Sequence, residues 1–458
     1  MRPATTTQIR CGSGRDWLLV WLVCGGLASA HAQTDAGAGA GPPAVSPPSG
    51  VAAQPDGPTP DAAADADDLV VAEPVDPLVA SQKLLESNIA EFGRRSLQTA
   101  EAYLDLAAAY RQMKDYDKAA QNYLAAVDVY RSIEGPFTPL AIEPLTSLGD
   151  NYHDADDDLE AVNAYTEART VSRRAYGLHN EDQIKLLDRM SRSLLDLNQL
   201  AEAEAQQVEA LRLVQRANPP ASDEVLEAVY KYAEWLGDRL FFQLERDQYA
   251  RALRIIRNAY GERDVRQVKP LLGIGNTYRE ERNPASMGIS ALEDALELLQ
   301  EQPQRDAIAT AAALRDIGDW SVAFGKTGYD GTEYQRAWQL LSSAPNGEQL
   351  RRDWFTGANY VLYEPISPRG LSTDPDALSG HVTVTFDIDT HGNSNNVTLV
   401  DSDPTGLKDE AVLRHIRRSR FRPVVANGEV VAGRALAIQV KFRYLPEPIT
   451  AAAADNDD

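Results

Sequence analysis

The residue types that most often carry enzyme chemistry are sparse in this sequence. It contains two cysteines, Cys11 and Cys24, and both lie within the first 32 residues. If that segment is removed on export, the chain keeps no thiol for a disulfide, a nucleophile or a metal site. Carboxylates are abundant, but in a chain of net charge -23 their abundance carries no specificity.

The histidines do not form a catalytic or metal-binding pattern either. None of them has the spacing of a zinc-binding helix or of a nucleophile arrangement. We therefore predict that the protein is not an enzyme and uses no cofactor and no metal. His391 falls in a predicted turn and His415 on a helix face rich in arginine, and we expect both at the surface.

One dense group of like charges is basic and lies near the C-terminus of this acidic chain. Two interpretations of the group stand: a solvated helix face, or a surface for an acidic partner segment or lipid head groups. Nucleic acid is not expected as a partner, because the chain as a whole is strongly acidic. The group consists of Arg414, Arg417, Arg418, Arg420 and Arg422.

The elements that carry these arginines predict a small mixed domain. Residues 381–389 alternate apolar and polar side chains with the period of a half-buried strand, and the alternation resumes at Val397 after turn-forming residues. Residues 407–419 change to the period of an amphipathic helix. From Leu436 to Tyr444, alternate residues are again apolar. The predicted order is strand, strand, helix, strand.

Together these elements resemble the C-terminal domain of TonB proteins. The resemblance covers residues 380–444 and rests on the hairpin, the helix, the segment Arg420-Phe421-Arg422-Pro423, the pair Asn427-Gly428 and the final strand. TonB proteins couple energy at the inner membrane to transporters in the outer membrane. The resemblance therefore implies a two-layer fold of strands and helix, and a protein partner such as an outer-membrane transporter.

The resemblance also implies that the partner binds by strand addition at the last strand. The outer edge of this strand, about Ala435 to Tyr444, would offer backbone donors and acceptors to an extended peptide. Its apolar residues are expected in the domain core whether or not a partner binds, and the polar ones on the other face are better contact candidates. The predicted partner-binding residues are Leu436, Ile438, Gln439, Val440, Lys441, Phe442 and Arg443.

Upstream of this domain the sequence is repetitive, with an alanine that recurs every 42 or 43 residues. In most repeats a small residue lies 19 positions before the alanine, and bulky residues lie three positions from each of the two. This alternation of small and large residues resembles tetratricopeptide repeats, and the repeat length resembles the kinesin light chain type. The recurring alanines are Ala126, Ala168, Ala210, Ala252, Ala295 and Ala337.

The repeats predict an α-solenoid over residues 77–346, made of an N-terminal half repeat and six full repeats. Such arrays bind proteins or peptides along a groove lined by the first helix of each repeat. A second protein bound in this groove is one interpretation, and an ordinary solvated surface is the other. The predicted groove residues are Asp150, Arg192, Glu234, Asn276 and Asp319.

The first residues have the pattern of a secretory signal peptide. Three arginines precede an apolar stretch at 17–30, and a small-x-small site ends at Ala32. Cleavage near Ala32 would release the protein into the periplasm. Retention would anchor it in the inner membrane facing the periplasm and would be its only membrane contact. A lipoprotein signal at Cys24 is a further alternative.

The predicted fold class is mainly α, with the solenoid followed by a small α+β domain. The predicted favoured function is a periplasmic adaptor of the TonB energy-transducer type, and the alternative is an envelope scaffold or self-associating repeat protein without energy coupling. The predicted segments are a signal peptide at 1–32, a disordered tether at 33–76, the solenoid at 77–346, a connector at 347–379 in which an extra strand is one alternative, the TonB-like domain at 380–446 and an acidic disordered tail at 447–458.

Overall fold

A computed structural model describes residues 19–21 and 76–445, apart from 305, 326–328, 368 and 373–376. The predicted acidic tail and nearly all of the predicted signal peptide and tether lie outside the described residues. None of the described helices is long and apolar enough to span a membrane.

Helices that fold back on one another make up most of the described chain. Helix α1, Pro77–Phe92, precedes six consecutive antiparallel pairs, and short 3-10 turns occur at Pro139–Ala141, Val265–Gln267 and Leu341–Ser343. The predicted α-solenoid is confirmed. The pairs are α2, Leu97–Gln112, with α3, Tyr116–Glu134; α4, Ile142–Asp154, with α5, Asp158–Tyr176; α6, Gln183–Asp196, with α7, Leu200–Ala217; α8, Asp223–Gly237, with α9, Phe242–Tyr260; α10, Val268–Glu280, with α11, Ser286–Glu301; and α12, Ala307–Phe324, with α13, Thr332–Leu340.

Small residues in the first helix of a pair give room to bulky residues in the second. A Cβ atom at Gly149 would lie 2.4 Å from the ring of Tyr165, and one at Gly318 would lie 2.5 Å from the ring of Tyr334. Both rings are fully buried, and the recurring alanines are buried too. Because interiors are packed at high density, this fit of small against large residues fixes how closely the helices approach.

The remaining elements form the strand-rich C-terminal region, and all of them except the N-terminal strand β1, Leu19–Trp21, follow the array. The first of them is helix α14, Gly347–Phe355, and a further helix, α15, Asp409–Arg418, lies between two strands. The strands in chain order are β1, Leu19–Trp21; β2, Tyr360–Leu362; β3, Leu378–Ile388; β4, Ser394–Asp403; β5, Arg420–Phe421; β6, Val424–Ala426; β7, Glu429–Val431; and β8, Gly433–Tyr444.

A four-stranded sheet with the order β1-β8-β3-β4 is the framework of this region, and β2 pairs with β5 and β6 with β7 in two smaller sheets. Strand β3 is antiparallel to both neighbours, with Val382 opposite Ser402 of β4 and Val440 of β8. The predicted order of strand, strand, helix, strand is therefore present as β3, β4, α15 and β8.

The core of this region lies between the sheet and α15. It includes Phe386, Ile416 and Ile438, all of them buried. Strand β2, from the predicted connector, adds Tyr360, whose ring centroid lies 4.7 Å from that of Phe421. Part of the connector therefore packs with the strand-rich region.

The expectation that His415 lies at the surface is wrong. Its side chain is buried, its Nε2 atom lies 2.7 Å from the hydroxyl of Tyr360, and its Nδ1 atom contacts the carbonyl of Glu364. Burial lowers the pKa of His415, which favours the neutral imidazole. The error arose because Tyr360 of β2 and Glu364 in the following loop contact this face of α15, and the periodicity of the helix alone does not reveal those contacts.

Candidate interaction surfaces

The first candidate surface is a cavity of about 290 Å³ on the inner face of the array. It lies between α2, α4 and α6, which are the first helices of three successive repeats. Two of the five predicted groove residues, Asp150 and Arg192, line it. The lining residues are all charged or imidazole-bearing: Arg111, Asp150, His153, Asp154, Lys185, Asp188, Arg189 and Arg192.

Ion pairs between neighbouring repeats balance much of the charge in this groove. Arg111 lies 2.7 Å from the carboxylate of Asp154, and Arg189 lies 2.8 Å from that of Asp150. The buried hydroxyl of Tyr165 also donates to Asp150, at 2.7 Å. Burial and then this hydrogen bond raise the pKa of Tyr165, so its hydroxyl remains a donor. Charged side chains of a bound peptide could replace one partner of such half-exposed ion pairs, because pairs of this kind contribute little to stability.

The other three predicted groove residues lie outside this cavity. Glu234 is exposed on α8. Asn276 is half-buried, and its Nδ2 atom donates to the carboxylate of Asp316 at 3.0 Å. Asp319 is buried, so its assignment to an open groove surface is wrong. The reason lies in what covers the last repeat.

Asp319 is the centre of a buried ion cluster between the array and the C-terminal region. Its carboxylate accepts hydrogen bonds from Nε and Nη2 of Arg422, at 2.8 and 2.7 Å, and from Nη1 of Arg279, at 2.7 Å. The hydroxyl of Tyr334 donates to it at 2.8 Å. Arg422 was predicted to belong to the basic helix face, and that prediction is also wrong: Arg422 lies between β5 and β6, and its side chain is 10% exposed.

The two charges of this pair stabilise one another against the cost of burial. Burial alone would raise the pKa of Asp319, but attraction to Arg422 and then Arg279 outweighs it and holds the pKa below its usual range. Burial would likewise lower the pKa of Arg422, and Asp319 reverses that shift. Arg422 also donates to the carbonyl of Trp354 at 2.8 Å. A buried pair with its hydrogen bonds satisfied specifies one docking geometry.

Apolar contacts surround the ion cluster. Val322 and Tyr334 of the array pack in one buried cluster with Phe355 of α14 and Val425 of β6. The last repeat and the C-terminal region therefore share a core.

The second candidate surface is a cleft of about 640 Å³ beside the ion cluster. Arg282, in the loop between α10 and α11, contributes one wall, and the other wall comes from α15, β5 and the start of β4. Arg417, Arg418 and Arg420 of the predicted basic group line it, whereas Arg414, on the same helix, does not. Sequence reasoning missed Arg282, because a single charged residue in a repeat loop gives no signal. The lining residues are Arg282, Glu364, Asn393, Ser394, Arg417, Arg418 and Arg420.

The third candidate surface is the outer edge of β8. Strand β1 pairs antiparallel with part of this edge, with Leu19 opposite Lys441 and Trp21 opposite Gln439. The predicted partner-binding side chains separate into two sets. Ile438, Val440 and Phe442 are buried in the core and Leu436 is half-buried, whereas Gln439 is half-buried on the other face and Lys441 and Arg443 are exposed there.

Among the described residues, the donors of His153, Asp158 and Asp196 lie within 4.8 Å of one another, close enough to hold a metal ion. The Nδ1 atom of His153 lies 2.7 Å from the buried carboxylate of Asp158 and 3.3 Å from the hydroxyl of Ser193. This nitrogen shares a hydrogen bond with Asp158 of its own repeat and lies 3.9 Å from the carboxylate of Asp196 in the next repeat, so polar contacts within and between the two repeats explain the group.

Comparison with known families identifies both parts of the chain. The family model described as tetratricopeptide repeat matches residues 98–174, and that described as Gram-negative bacterial TonB protein C-terminal matches residues 376–444. The fold and these matches show tetratricopeptide repeats followed by a TonB C-terminal domain. Both kinds of module serve protein–protein interaction. A search of curated proteins gave no match.

Several solved structures with helical repeats are similar to parts of this chain at low identity. A putative kinesin light chain from Podosopora anserina is 12% identical, with a TM-score of 0.34 over 44% of this chain and 97% of that one. BtubC from P. vanneervenii is 16% identical, with a TM-score of 0.32 over 60% and 96%. A signal-transduction ATPase from Pyrococcus horikoshii with a tetratricopeptide repeat sensor is 13% identical, with a TM-score of 0.37 over 60% and 41%.

Proposed function

We propose that this protein is a periplasmic adaptor of the TonB energy-transducer type. Its C-terminal domain docks an extended segment of an outer-membrane transporter by strand addition at β8, and its helical array holds a second protein in the charged groove. The match to the TonB C-terminal family supports an envelope location and a protein partner. The observation that carries the proposal is the pairing of Leu19–Trp21 with β8, because it is the main-chain contact that a partner strand would make.

Strand β8 has the properties of a rigid template for such pairing. Ile438, Val440 and Phe442 anchor one face of the strand in the core. Its long register with β3, from Leu378 opposite Tyr444 to Ile388 opposite Gly433, fixes the backbone. A preorganised edge lowers the ordering cost of binding, so most of that cost falls on the incoming segment.

The fate of Leu19–Trp21 decides whether this edge is open, because these residues lie in the predicted signal peptide. Cleavage near Ala32 would remove the segment, and insertion of the apolar stretch into the inner membrane would withdraw it from the sheet. Either event would free the backbone groups of Gln439–Lys441 for a partner.

The N-terminal residue and the membrane partition of the protein, measured in its own cell, test the energy-coupling part of the proposal. Retention of residues 17–30 in the inner membrane supports coupling, since coupling requires an anchor. A soluble periplasmic protein that begins at Gln33 contradicts coupling and favours the scaffold alternative.

Site-specific photo-crosslinking tests strand addition directly. A photoreactive residue in place of the exposed Lys441 of β8 is expected to form an adduct with an outer-membrane transporter, identified by mass spectrometry. The matched control replaces Asp294, an exposed residue of α11, and is expected to form no such adduct. Adducts only between two copies of this chain would contradict the transporter proposal and support self-association.

A further inference from the structure

We propose that the cleft between the array and the C-terminal region binds an acidic peptide segment of a partner protein. This site is separate from the β8 edge, and the proposal does not depend on strand addition. Four arginines and one glutamate line the cleft, which gives a formal charge of 4 - 1 = +3 in a chain of net charge -23. Such local inversion of charge attracts a short acidic ligand to one place.

The glutamate of the cleft does not neutralise its arginines. The carboxylate of Glu364 lies 3.0 Å from Arg282 and 3.7 Å from Arg418, so it is shared between the two walls. Within the described parts of the chain, Arg417 and Arg420 have no carboxylate within salt-bridge distance. Two guanidinium groups therefore remain available to an incoming carboxylate.

Guanidinium groups suit this ligand because each presents a planar fork of donors that pairs with both oxygens of a carboxylate. Asn393 and Ser394 add polar groups to the cleft wall. An extended peptide with acidic side chains at intervals could therefore bind through its carboxylates, with its backbone beside these polar residues.

The charge distribution around the cleft favours a peptide over a lipid surface. Arg417 and Arg418 are exposed and Arg420 is half-buried, so the arginines form a small basic surface in an acidic chain. A membrane or a long polyanion would bring its charge against the acidic remainder of the chain, and the resulting repulsion opposes binding. A short peptide segment can contact the cleft without that repulsion.

Binding of a labelled peptide of alternating aspartate and alanine to the full-length protein, followed by fluorescence anisotropy at low salt, tests the proposal. The double variant Arg417→Gln/Arg420→Gln is expected to bind at least about tenfold more weakly, as is Arg282→Gln from the other wall. The matched control is Arg414→Gln, an exposed residue of α15 outside the cleft, with an expected change below about twofold. Glu364→Gln is expected to bind more tightly, because it removes the competing carboxylate.

Three results would overturn the proposal. The first is equal binding by wild type and the double variant. The second is an equal loss in Arg414→Gln, which would indicate general charge attraction rather than a site. The third is binding of the wild type to phosphatidylglycerol vesicles but not to the peptide, which would assign the arginines to a lipid surface. Replacing aspartate by asparagine in the peptide should abolish binding, and thermal unfolding of each variant confirms that it is folded.

Discussion

The second and the last repeats contain the same local arrangement, but their aspartates have different environments. In the second repeat Gly149, Asp150 and Tyr165 combine with Arg189 of the next repeat, and Asp150 remains half-exposed. In the last repeat Gly318, Asp319 and Tyr334 recur at the equivalent positions, and Asp319 is buried. Within the described residues no further repeat follows Leu340, and Arg422 of the TonB C-terminal domain binds the aspartate instead.

This comparison shows how the C-terminal domain is joined to the array. It meets the last repeat through a contact that resembles the one made by a following repeat, an arginine on the aspartate after the small residue. Apolar residues of the C-terminal region also surround the ion pair of the last repeat, so this pair is buried, whereas the equivalent pair of the second repeat is half-exposed in the groove. Substitution of equivalent residues in the two repeats therefore measures how much the contact with the C-terminal domain contributes to the free energy of unfolding.

The largest effect is expected from Asp319→Asn, compared with Asp150→Asn. Loss of the Asp319 carboxylate leaves Arg279 and Arg422 buried without their counter-ion, which costs about 3–5 kcal/mol, whereas loss of a half-exposed pair costs about 0–1 kcal/mol. Urea unfolding followed by tryptophan fluorescence measures both. An equal decrease in the free energy of unfolding for both variants would contradict the inference that burial makes the Asp319 contact stronger than the Asp150 contact.

The pH dependence of the same pair of measurements has a definite sign. The pKa of Asp319 is lower in the folded state, so its stabilising contribution is present above the ordinary carboxyl pKa and is lost as the pH falls below about 4. The difference between wild type and Asp319→Asn should therefore shrink in acid.

A buried carboxyl that forms no ion pair within the described part of the chain provides the opposite case. Glu245 of α9 is 7% exposed, and burial and then the nearby Glu280 raise its pKa to about 8. Since its folded pKa exceeds the unfolded value, the wild type loses stability as the pH rises from about 4.3 to 8, by at most about 1.4 kcal/mol per unit. The free energy of unfolding of Glu245→Gln should equal that of the wild type near pH 4.3 and exceed it at pH 8. A constant difference across this range would refute the assignment.

Gly318→Ala and Gly149→Ala are expected to cost about 1–3 kcal/mol each, because the added methyl group overlaps a buried tyrosine ring. The two variants should lose stability in different parts of the molecule. Hydrogen exchange should show weaker protection in both the last repeat and the C-terminal domain for Gly318→Ala, but only within the array for Gly149→Ala. Loss confined to the array in both variants would show that the two parts are not coupled at Tyr334.

The smallest effect is expected from Arg420→Gln. This arginine lies only two positions before Arg422, but it lines the open cleft and should change the free energy of unfolding by less than about 0.5 kcal/mol. Arg422→Gln, in the same unfolding assay, should cost several times more. A similar decrease in the free energy of unfolding for both variants would mean that Arg420 also stabilises the fold.

Features that depend on local periodicity were predictable from the sequence. The spacing of Ala126 and its equivalents gave the solenoid, and alternation along β3 and β8 gave the order of the TonB C-terminal domain. Contacts between distant segments were not predictable in this way. Asp319 and Arg422 are 103 positions apart, and neither residue type nor spacing indicates that they meet. The groove, the β8 partner and export of the chain stay predictions.

The same limit explains the composition of the cleft. Its arginines come from a repeat loop and from the C-terminal domain, and they share a wall only after the two parts dock. The sequence showed Arg417, Arg418 and Arg420 as a basic group but gave no sign of Arg282 or of the position of Glu364.

The long register between β3 and β8 has a mechanical consequence. A load applied along β8 would act in shear on all the backbone hydrogen bonds between β8 and β3 at once, from Leu378 to Ile388. Because these bonds share the load, the pair of strands resists extension. The same load reaches the helical array through the Arg422–Asp319 ion pair and the apolar cluster that surrounds it, including Tyr334 and Val425. If this junction yields before the sheet, the ion cluster and its apolar surroundings together set the force at which the two parts separate.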